Sequence, residues 1–407
     1  MPETCPSGYA LGPEKESKPP GQDAAMRVFI SAGEPSGDMH GANLFRALRE
    51  RRPDVEVFGF GGERMATAGV DLVYPLCEFA VMGLGAVLSA LPTFRRILHL
   101  ARDTFRKRRP DAVVMIDYPG FHWWLARAAR EEGIPVCYFV PPQIWSWGRW
   151  RVHKMRRLTD VVLSSLPFEH DFFAAHGIPS QLIGHPYFDE LARQQLDPEF
   201  IAAQRARPGT IIGILPGSRK HELHYNVPSQ IHAAKIIHAR RPDVRFLAAC
   251  LKPHQADWVR EQFRAVDLPV EVHFGKTPEI INLAHSCMAV SGSVSLELLH
   301  RVRPTAILYR VFWTTRALGK LLLRSKYITL VNLLADRKLF PEHVSTRCLG
   351  ERIAGDILGW LDDHASYEKC CADLLELRNR VAQPGACGKA ADAVLGLIEG
   401  HSRRAAA

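Results

Sequence analysis

The sequence predicts a two-domain α/β protein: two doubly wound parallel sheets facing a cleft, followed by a helical C-terminal tail. Three observations carry that prediction. Two units of apolar run, glycine loop and helical pattern, at Arg27–Asp38 and Ile211–Arg219, lie about half a chain apart. Short apolar runs alternate with helical patterns along the chain, which is the mark of parallel strands joined by right-handed crossovers. Finally, 407 residues with 47% hydrophobic and 23% charged side chains are enough to fill two cores of ordinary size.

In order, Met1–Ala25 is polar with no apolar core and reads as a disordered extension without a signal-peptide segment. Six continuous apolar runs then read as buried strands: Arg27–Ala32, Glu56–Phe60, Ala112–Ile116, Pro135–Phe139, Asp160–Leu163 and Gln181–Ile183. Helical patterns fill the gaps, as at His40–Arg51 and Gly120–Glu132, and a polar stretch at Gln194–Pro208 reads as a linker. The second series has strands at Thr210–Leu215, Arg245–Ala249, Val270–His273, Met288–Ser291 and Thr305–Tyr309, with helices including Val227–Arg240 and Ser293–Leu299. Residues Ile353–Ile398 read as helices. The implied division is 1–25 extension, 26–205 first domain, 206–350 second domain, and 351–407 a tail packing back on the first domain or on a partner subunit.

A net charge of +9 and a pI near 9.1 favour an anionic partner, whether nucleic acid, acidic lipid or a phosphate-bearing substrate. Nine cysteines without a Cys-x-x-Cys pair exclude a disulfide framework or zinc ribbon and read as reduced thiols in a cytoplasmic protein. No run of about 18 uncharged apolar residues occurs, so no membrane-spanning helix is expected. The loop Gly33, Glu34, Ser36, Gly37, Asp38 has neither dinucleotide-fingerprint spacing nor a P-loop ending, which argues against a nicotinamide dehydrogenase and an ATPase. No metal spacing appears among the 18 histidines, and Asp-x-Asp is absent, so neither a metal nor another cofactor is implied.

Several residues stand where chemistry is expected. Asp117 ends a buried strand, the place where a carboxylate meets ligands in an open α/β sheet; it reads as a general base or as a helix cap. Leu215-Pro-Gly-Ser-Arg219 sets an arginine on a glycine turn. Gly217, Ser218 and Arg219 suit a diphosphate, and Glu222 is either part of that site or a helix-end carboxylate. Ser291, Gly292 and Ser293 follow another buried strand, with Glu297 one turn into the next helix, where it can meet a ribose diol or simply cap. Trp145, Trp147 and Arg151 form an aromatic and cationic cluster that reads as a site-lining loop, an RNA contact or inter-element core. Phe79–Pro110 is apolar first (Val81, Met82, Leu84, Val87, Leu88) and then basic (Arg95, Arg96), as an interfacial membrane element requires; the alternative is a buried helix with a solvated basic face. Phe312–Tyr327 has a similar mix.

Taken together, these motifs resemble those of bacterial lipid A disaccharide synthases, inverting glycosyltransferases of the GT-B type with two Rossmann-like domains. The resemblance runs from about Met26 to about Val344. It rests on Ser31-Ala-Gly-Glu-Pro-Ser-Gly-Asp38 with Asn43, Gly59-Phe-Gly-Gly62 with Met65, Ala80-Val-Met-Gly83, and Ile116-Asp-Tyr-Pro119 with Phe121. It continues through Tyr138, Pro141, Trp145 and Trp147, Leu166-Pro-Phe-Glu169, Gly184-His-Pro186, Leu215-Pro-Gly-Ser-Arg219 with Glu222, Ser291-Gly-Ser293 with Glu297, and Asn332-Leu-Leu-Ala335.

The resemblance implies transfer of 2,3-diacylglucosamine from its UDP donor to 2,3-diacylglucosamine 1-phosphate, with UDP released. Asp117 is then the base and Arg219 the group that stabilises the leaving diphosphate. The second domain holds UDP through Gly217, Ser218, Arg219, Glu222, Ser291, Gly292, Ser293 and Glu297. The first domain holds the acceptor near Gly33, Glu34, Ser36, Gly37, Asp38, Asn43, Trp145, Trp147 and Arg151. Acylated substrates imply a peripheral position on the cytoplasmic face of the inner membrane; no nucleic-acid partner is implied, and a homodimer is allowed. The chain departs from the family pattern at Gly120 and His122 beside the base, at Ala86, at Val331 before Asn332, and in its N-terminal extension. Two alternatives are another GT-B enzyme on a UDP-N-acetylglucosamine substrate (a muramyl-lipid transferase or 2-epimerase) and a basic nucleic-acid-binding protein.

Overall fold

The computed structural model describes residues 25–79, 84–311 and 325–406, with the side chains of 79–91 and 405–406 left undescribed. Most of the N-terminal extension, Val81, Met82 and most of the 312–327 segment lie outside the described residues, as do the side chains of Leu84, Val87 and Leu88.

The first sheet has seven parallel strands: β1 (Arg27–Ala32), β2 (Glu56–Phe60), β3 (Asp71–Tyr74), β4 (Ala112–Ile116), β5 (Val136–Phe139), β6 (Val161–Ser164) and β7 (Ser180–Leu182). Their spatial order is β3-β2-β1-β4-β5-β6-β7. The second sheet has six parallel strands: β8 (Thr210–Leu215), β9 (Val244–Cys250), β10 (Val270–Phe274), β11 (Ser286–Val290), β12 (Thr305–Arg310) and β13 (Glu342–Ser345). Their order is β10-β9-β8-β11-β12-β13.

Helices cover both faces of each sheet, so the central strands are apolar on both sides and read as unbroken hydrophobic runs. Leu44 and Leu48 of the helix Pro35–Arg51 pack on one face of the first sheet; Ile97, Phe105, Leu125 and Met155 pack on the other. The second sheet is likewise enclosed by Val227, Ile237 and Ile353 on one face and Ile280, Leu298 and Leu374 on the other.

The structure differs from the readings at several elements, and β7, expected to be buried, is a largely exposed edge strand. Two strands, β3 and β13, carry no continuous apolar run, because both lie at sheet edges and keep much of their surface wet. The expected linker 194–208 contains the helix Pro198–Arg205, opened by Asp197, whose carboxylate accepts the Phe200 amide at 3.0 Å. The helices expected at His40–Arg51 and Val227–Arg240 begin earlier, at Pro35 and Lys220, because their first turns lack the apolar periodicity of the buried face, whereas the one expected at Ser293 begins at Val294. Several strands of both series shift by one or two residues, β11 running Ser286–Val290 rather than Met288–Ser291, while β1, β4 and β8 keep their expected limits.

The C-terminal part forms three helices, Gly350–Asp362, His364–Val381 and Ala386–Ala406. The last returns to the first domain. Cys387, Ala390, Ala391, Val394 and Ile398 join the core beneath Pro35–Arg51, and Arg51 pairs with Asp392. Burying Val394 and Ile398 contributes about 1.5–3 kcal/mol each. The N-terminus of this helix is capped at a distance: the Asp189 carboxylate accepts the amides of Gly385, Ala386 (3.2 Å) and Cys387 (2.7 Å). The eight described cysteines are free thiols. Among the described residues no helix is long and apolar enough to cross a membrane.

Candidate active site

In an open α/β sheet the chain leaves the central pair of strands in opposite directions, which opens a crevice beyond their carboxyl ends. In the first sheet that pair is β1 and β4; in the second it is β8 and β11. The loops singled out from the sequence lie at these points: Gly33–Glu34 after β1, Asp117–Tyr118 after β4, Pro216–Arg219 after β8 and Ser291–Ser293 after β11.

In the first domain, the loops after β1 and β4 touch. A Cβ on Gly33 would come within 2.3 Å of the Tyr118 ring, so only glycine lets the two turns approach this closely. Asp117 and Tyr118 both adopt the left-handed conformation, at φ of 48° and 49°. Two successive non-glycine residues there cost on the order of 1–3 kcal/mol each, strain of the kind found where a site fixes a side chain. The Asp117 carbonyl accepts the Tyr138 hydroxyl at 2.7 Å and meets His122 Nδ1 at 2.5 Å, while His122 Nε2 lies 2.9 Å from Ser31 Oγ. Burial, reinforced by the charge of Glu34, pushes the Asp117 carboxyl up to about 6, and the Tyr118 amide opposes the shift. A carboxylate so poised is ionised at neutral pH yet holds a proton better than an ordinary aspartate, as a general base requires.

The other expected acceptor residues divide. Gly33 and Glu34 border Asp117, and Ser36 is exposed beside them. Gly37 is packed between Ala32 and Ile116. The Asp38 carboxylate is consumed within the fold, accepting the amides of Gly62 (2.8 Å), Arg64 (3.0 Å) and Met65 (3.1 Å). Asn43 is buried and bonded to Glu190 and Arg46.

The tryptophan cluster also splits. Trp145 lies edge-on to Phe168 and donates its indole N–H to Glu169 at 3.3 Å. Trp147 (40% exposed) and Trp150 (64% exposed) flank Arg151, whose guanidinium carbon lies 4.1 and 5.5 Å from their ring centres. Glu169 is buried, and burial pushes its carboxyl up to about 8, with the charge of Asp117 a lesser contribution. Arg95 and Arg96 are exposed on the helix Leu84–Arg108.

In the second domain, Gly217 at φ of 110° lets Glu222 fold back under the loop; a Cβ on that glycine would come within 2.8 Å of Glu222 Cβ. Glu222 Oε2 accepts the amides of Ser218 (2.9 Å) and Arg219 (3.1 Å), and Oε1 faces the Arg219 guanidinium at 3.4 Å. The two amides expected to face a diphosphate are thus held by Glu222, while the Arg219 side chain stays half exposed. Gly292 and Ser293 are exposed, and Ser291 donates to the Ile328 carbonyl at 3.3 Å.

Glu297 is only 3% exposed. It pairs with Arg301 at 3.2 Å and accepts the Tyr187 hydroxyl at 3.2 Å; burial holds its carboxyl above the usual range. Tyr187 belongs to the short helix Tyr187–Arg193, which also carries Asp189 and Glu190. That helix therefore ties together Glu297 of the second domain, Asn43 of the first and the start of the last helix.

The model of the Lipid-A-disaccharide synthetase family matches residues 28–395. The chain belongs to that family. Curated relatives agree. The lipid-A-disaccharide synthase of Myxococcus xanthus is 34% identical over 377 residues, covering 91% of this chain and 97% of the relative. That of Pseudomonas aeruginosa is 33% identical over 380 residues, covering 92% and 98%. The chain is accordingly a glycosyltransferase of the hexosyl-transferring kind.

Solved structures with the same two-domain GT-B architecture include a putative UDP-N-acetylglucosamine 2-epimerase from Listeria monocytogenes (TM-score 0.61, 15% identity, covering 94% of this chain and 98% of that one). Another is S. aureus MnaA with UDP (TM-score 0.63, 12% identity, 92% and 98%). A third is the kitacinnamycin glycosyltransferase (TM-score 0.58, 15% identity, 92% and 100%). At such identities they carry the fold alone, so the epimerase alternative gains nothing from them.

The sequence motifs include Ser31, Tyr138 and Glu169 but assign them no role in the site, and Tyr187 lies outside them. Each is buried or half-buried and meets its partner only through the tertiary fold. For Glu169 one signal was present, an acid at the start of a helix after the apolar run of β6.

Proposed function

We propose that the protein joins 2,3-diacylglucosamine from its UDP donor to the 6-hydroxyl of 2,3-diacylglucosamine 1-phosphate, giving the β-1,6 disaccharide 1-phosphate and UDP with inversion. Asp117 carries the reading: a raised-pKa carboxylate at the crevice of the first sheet, in a chain of this family. Asp117 takes the proton of the acceptor hydroxyl as its oxygen attacks the anomeric carbon. The bond from that carbon to the UDP oxygen breaks, and Arg219 stabilises the charge that collects on the departing diphosphate.

In this reading residues 26–205 form the acceptor half, with Gly33, Glu34, Ser36, Trp145, Trp147 and Arg151 nearest the lipid sugar. Residues 206–350 form the donor half, with Gly217, Ser218, Ser291, Gly292, Ser293 and Glu297 around UDP. Asp38, Asn43 and Glu222 support the two sites from beneath, since their polar atoms are engaged inside the protein.

The acyl chains require contact with the cytoplasmic face of the inner membrane. The helix Leu84–Arg108 is the candidate element. Its Arg102, Arg106 and Arg108 pair with Glu131, Glu132 and Asp71, so the charge offered to lipid is assigned to the exposed Arg95 and Arg96. A homodimer is compatible with this arrangement.

The test is turnover of the two acylated substrates in detergent micelles, reading UDP release and product mass. Disaccharide formation that falls by a factor on the order of 10²–10⁴ in Asp117→Ala, with UDP still bound, is expected. Binding of UDP without disaccharide formation overturns the substrate assignment, and near-normal turnover of Asp117→Ala removes the residue from the base role.

A further inference from the structure

The hydrogen bonds around Asp117 determine the state of a buried histidine. His122 is fully buried, and both ring nitrogens have partners. The Asp117 carbonyl oxygen can only accept, so Nδ1 carries the proton and donates to it. Burial holds the imidazole neutral, down at about 4. Nε2 is then a bare lone pair, so the Ser31 hydroxyl must donate to it. The result is a directed chain, Ser31 O–H to His122 Nε2 and His122 Nδ1–H to the Asp117 carbonyl. Tyr138 O–H fills the second lone pair of the same carbonyl.

That carbonyl belongs to the peptide joining two left-handed residues. The N–H of the same peptide, that of Tyr118, bonds the Asp117 carboxylate, so the orientation of the peptide sets where that carboxylate is held. Left unbonded, the peptide would be free to rotate out of this strained arrangement. Ser31 lies on β1 and Tyr138 on β5, the two strands flanking β4, so the plane is braced from both sides of the strand it ends.

We propose that His122 is a positioning residue for this reaction: through its Nδ1–H it locks the Asp117–Tyr118 peptide so that the Asp117 carboxylate faces the acceptor hydroxyl. The proposal rests on the reading of Asp117 as the base. His122 touches no substrate in this scheme and moves no proton; it acts through the backbone of its neighbour.

Two near-isosteric substitutions separate the two ring nitrogens. The amide nitrogen of asparagine falls close to the Nδ1 position, so His122→Asn retains a donor to the Asp117 carbonyl. The amide of glutamine reaches the Nε2 position instead, so His122→Gln retains a partner for Ser31 and loses the bond to Asp117. His122→Gln is expected to lower kcat by roughly 10- to 100-fold, the range a misplaced reacting group costs. His122→Asn should recover most of that loss. The KM of the UDP donor should change less than about twofold in both, because the donor site lies on the other domain.

Equal kcat values for the two variants, whether both high or both low, overturn the proposal, as does a more active Gln variant. Asp117→Asn is measured alongside. If it retains turnover, the base reading fails and the positioning role falls with it. If it is inactive while the two His122 variants are indistinguishable, the base stands and the positioning role alone is lost.

Discussion

A carboxylate held at about 6 in the folded state carries a cost that can be measured without substrate. The perturbation is Asp117→Asn, which keeps the shape and removes the charge. The ordinary value of 3.8 rises to about 6 on folding, which at about 1.36 kcal/mol per pH unit corresponds to roughly 3 kcal/mol. Asp117 keeps some contact with solvent, which reduces the expected figure to about 2 kcal/mol.

The sign follows from which state binds the proton more tightly. Because the folded value is the higher one, the stability linked to this proton is fully present below the unfolded value. It is lost as pH rises from about 4 through about 6 and stays lost above that. At pH 7.5 the asparagine variant should therefore be more resistant to urea than the wild type by about 2 kcal/mol. At pH 4.5 roughly two-thirds of that difference should vanish. Asparagine also tolerates the left-handed conformation at φ of 48° slightly better, but that gain is independent of pH, so the pH difference isolates the charge. Urea unfolding of both proteins at the two pH values is the assay. A stability difference that is the same at pH 4.5 and 7.5 would refute the raised carboxyl and the mechanism that relies on it.

Arg219→Ala should weaken UDP binding by about 10- to 100-fold, the range expected for one charge-assisted contact, and titration calorimetry that finds unchanged affinity moves the diphosphate elsewhere. Gly33→Ala forces a methyl group to within 2.3 Å of the Tyr118 ring; it should cost about 1–3 kcal/mol in unfolding and lower turnover together, and a variant with wild-type melting and kcat contradicts the close approach of the two loops. Asp189→Ala removes the carboxylate that accepts three amides at the start of the last helix; a loss of about 1–2 kcal/mol and new protease cleavage near 385 are expected, while unchanged cleavage shows that the cap is dispensable.

The elements legible in the sequence are those whose burial leaves an unbroken apolar run. β1 and β4 match their expected limits, because both faces of a central parallel strand are covered. β3, reading Asp71-Leu-Val-Tyr74, and β13, reading Glu342-His-Val-Ser345, lie at sheet edges and carry no such signal. The helix Pro198–Arg205 had its own marker, an aspartate followed by proline at the first turn, but its polar composition resembled a linker. At the site, the placement of Asp117 and the glycine loops followed from strand ends alone. The pairing of Ser31 with His122, 91 residues apart, did not, because it depends on β1 lying beside β4. The grip of Glu222 on its own loop spans only three or four residues and was within reach of sequence reasoning as the helix-end alternative.

The return of the last helix to the first domain has a consequence for how the molecule comes into being. Cys387, Ala390, Ala391, Val394 and Ile398 complete the layer that covers Ala42, Leu44 and Leu48, so the earlier-made sheet cannot close on one face until residues 387–398 have left the ribosome. The second sheet has no such wait, since its covering helices end by Val381. Translation thus imposes an order opposite to that of the gene: the half made second can finish first. A message truncated before residue 386 leaves a nascent chain with an apolar stripe along Pro35–Arg51, the kind of surface that chaperones and quality-control proteases recognise.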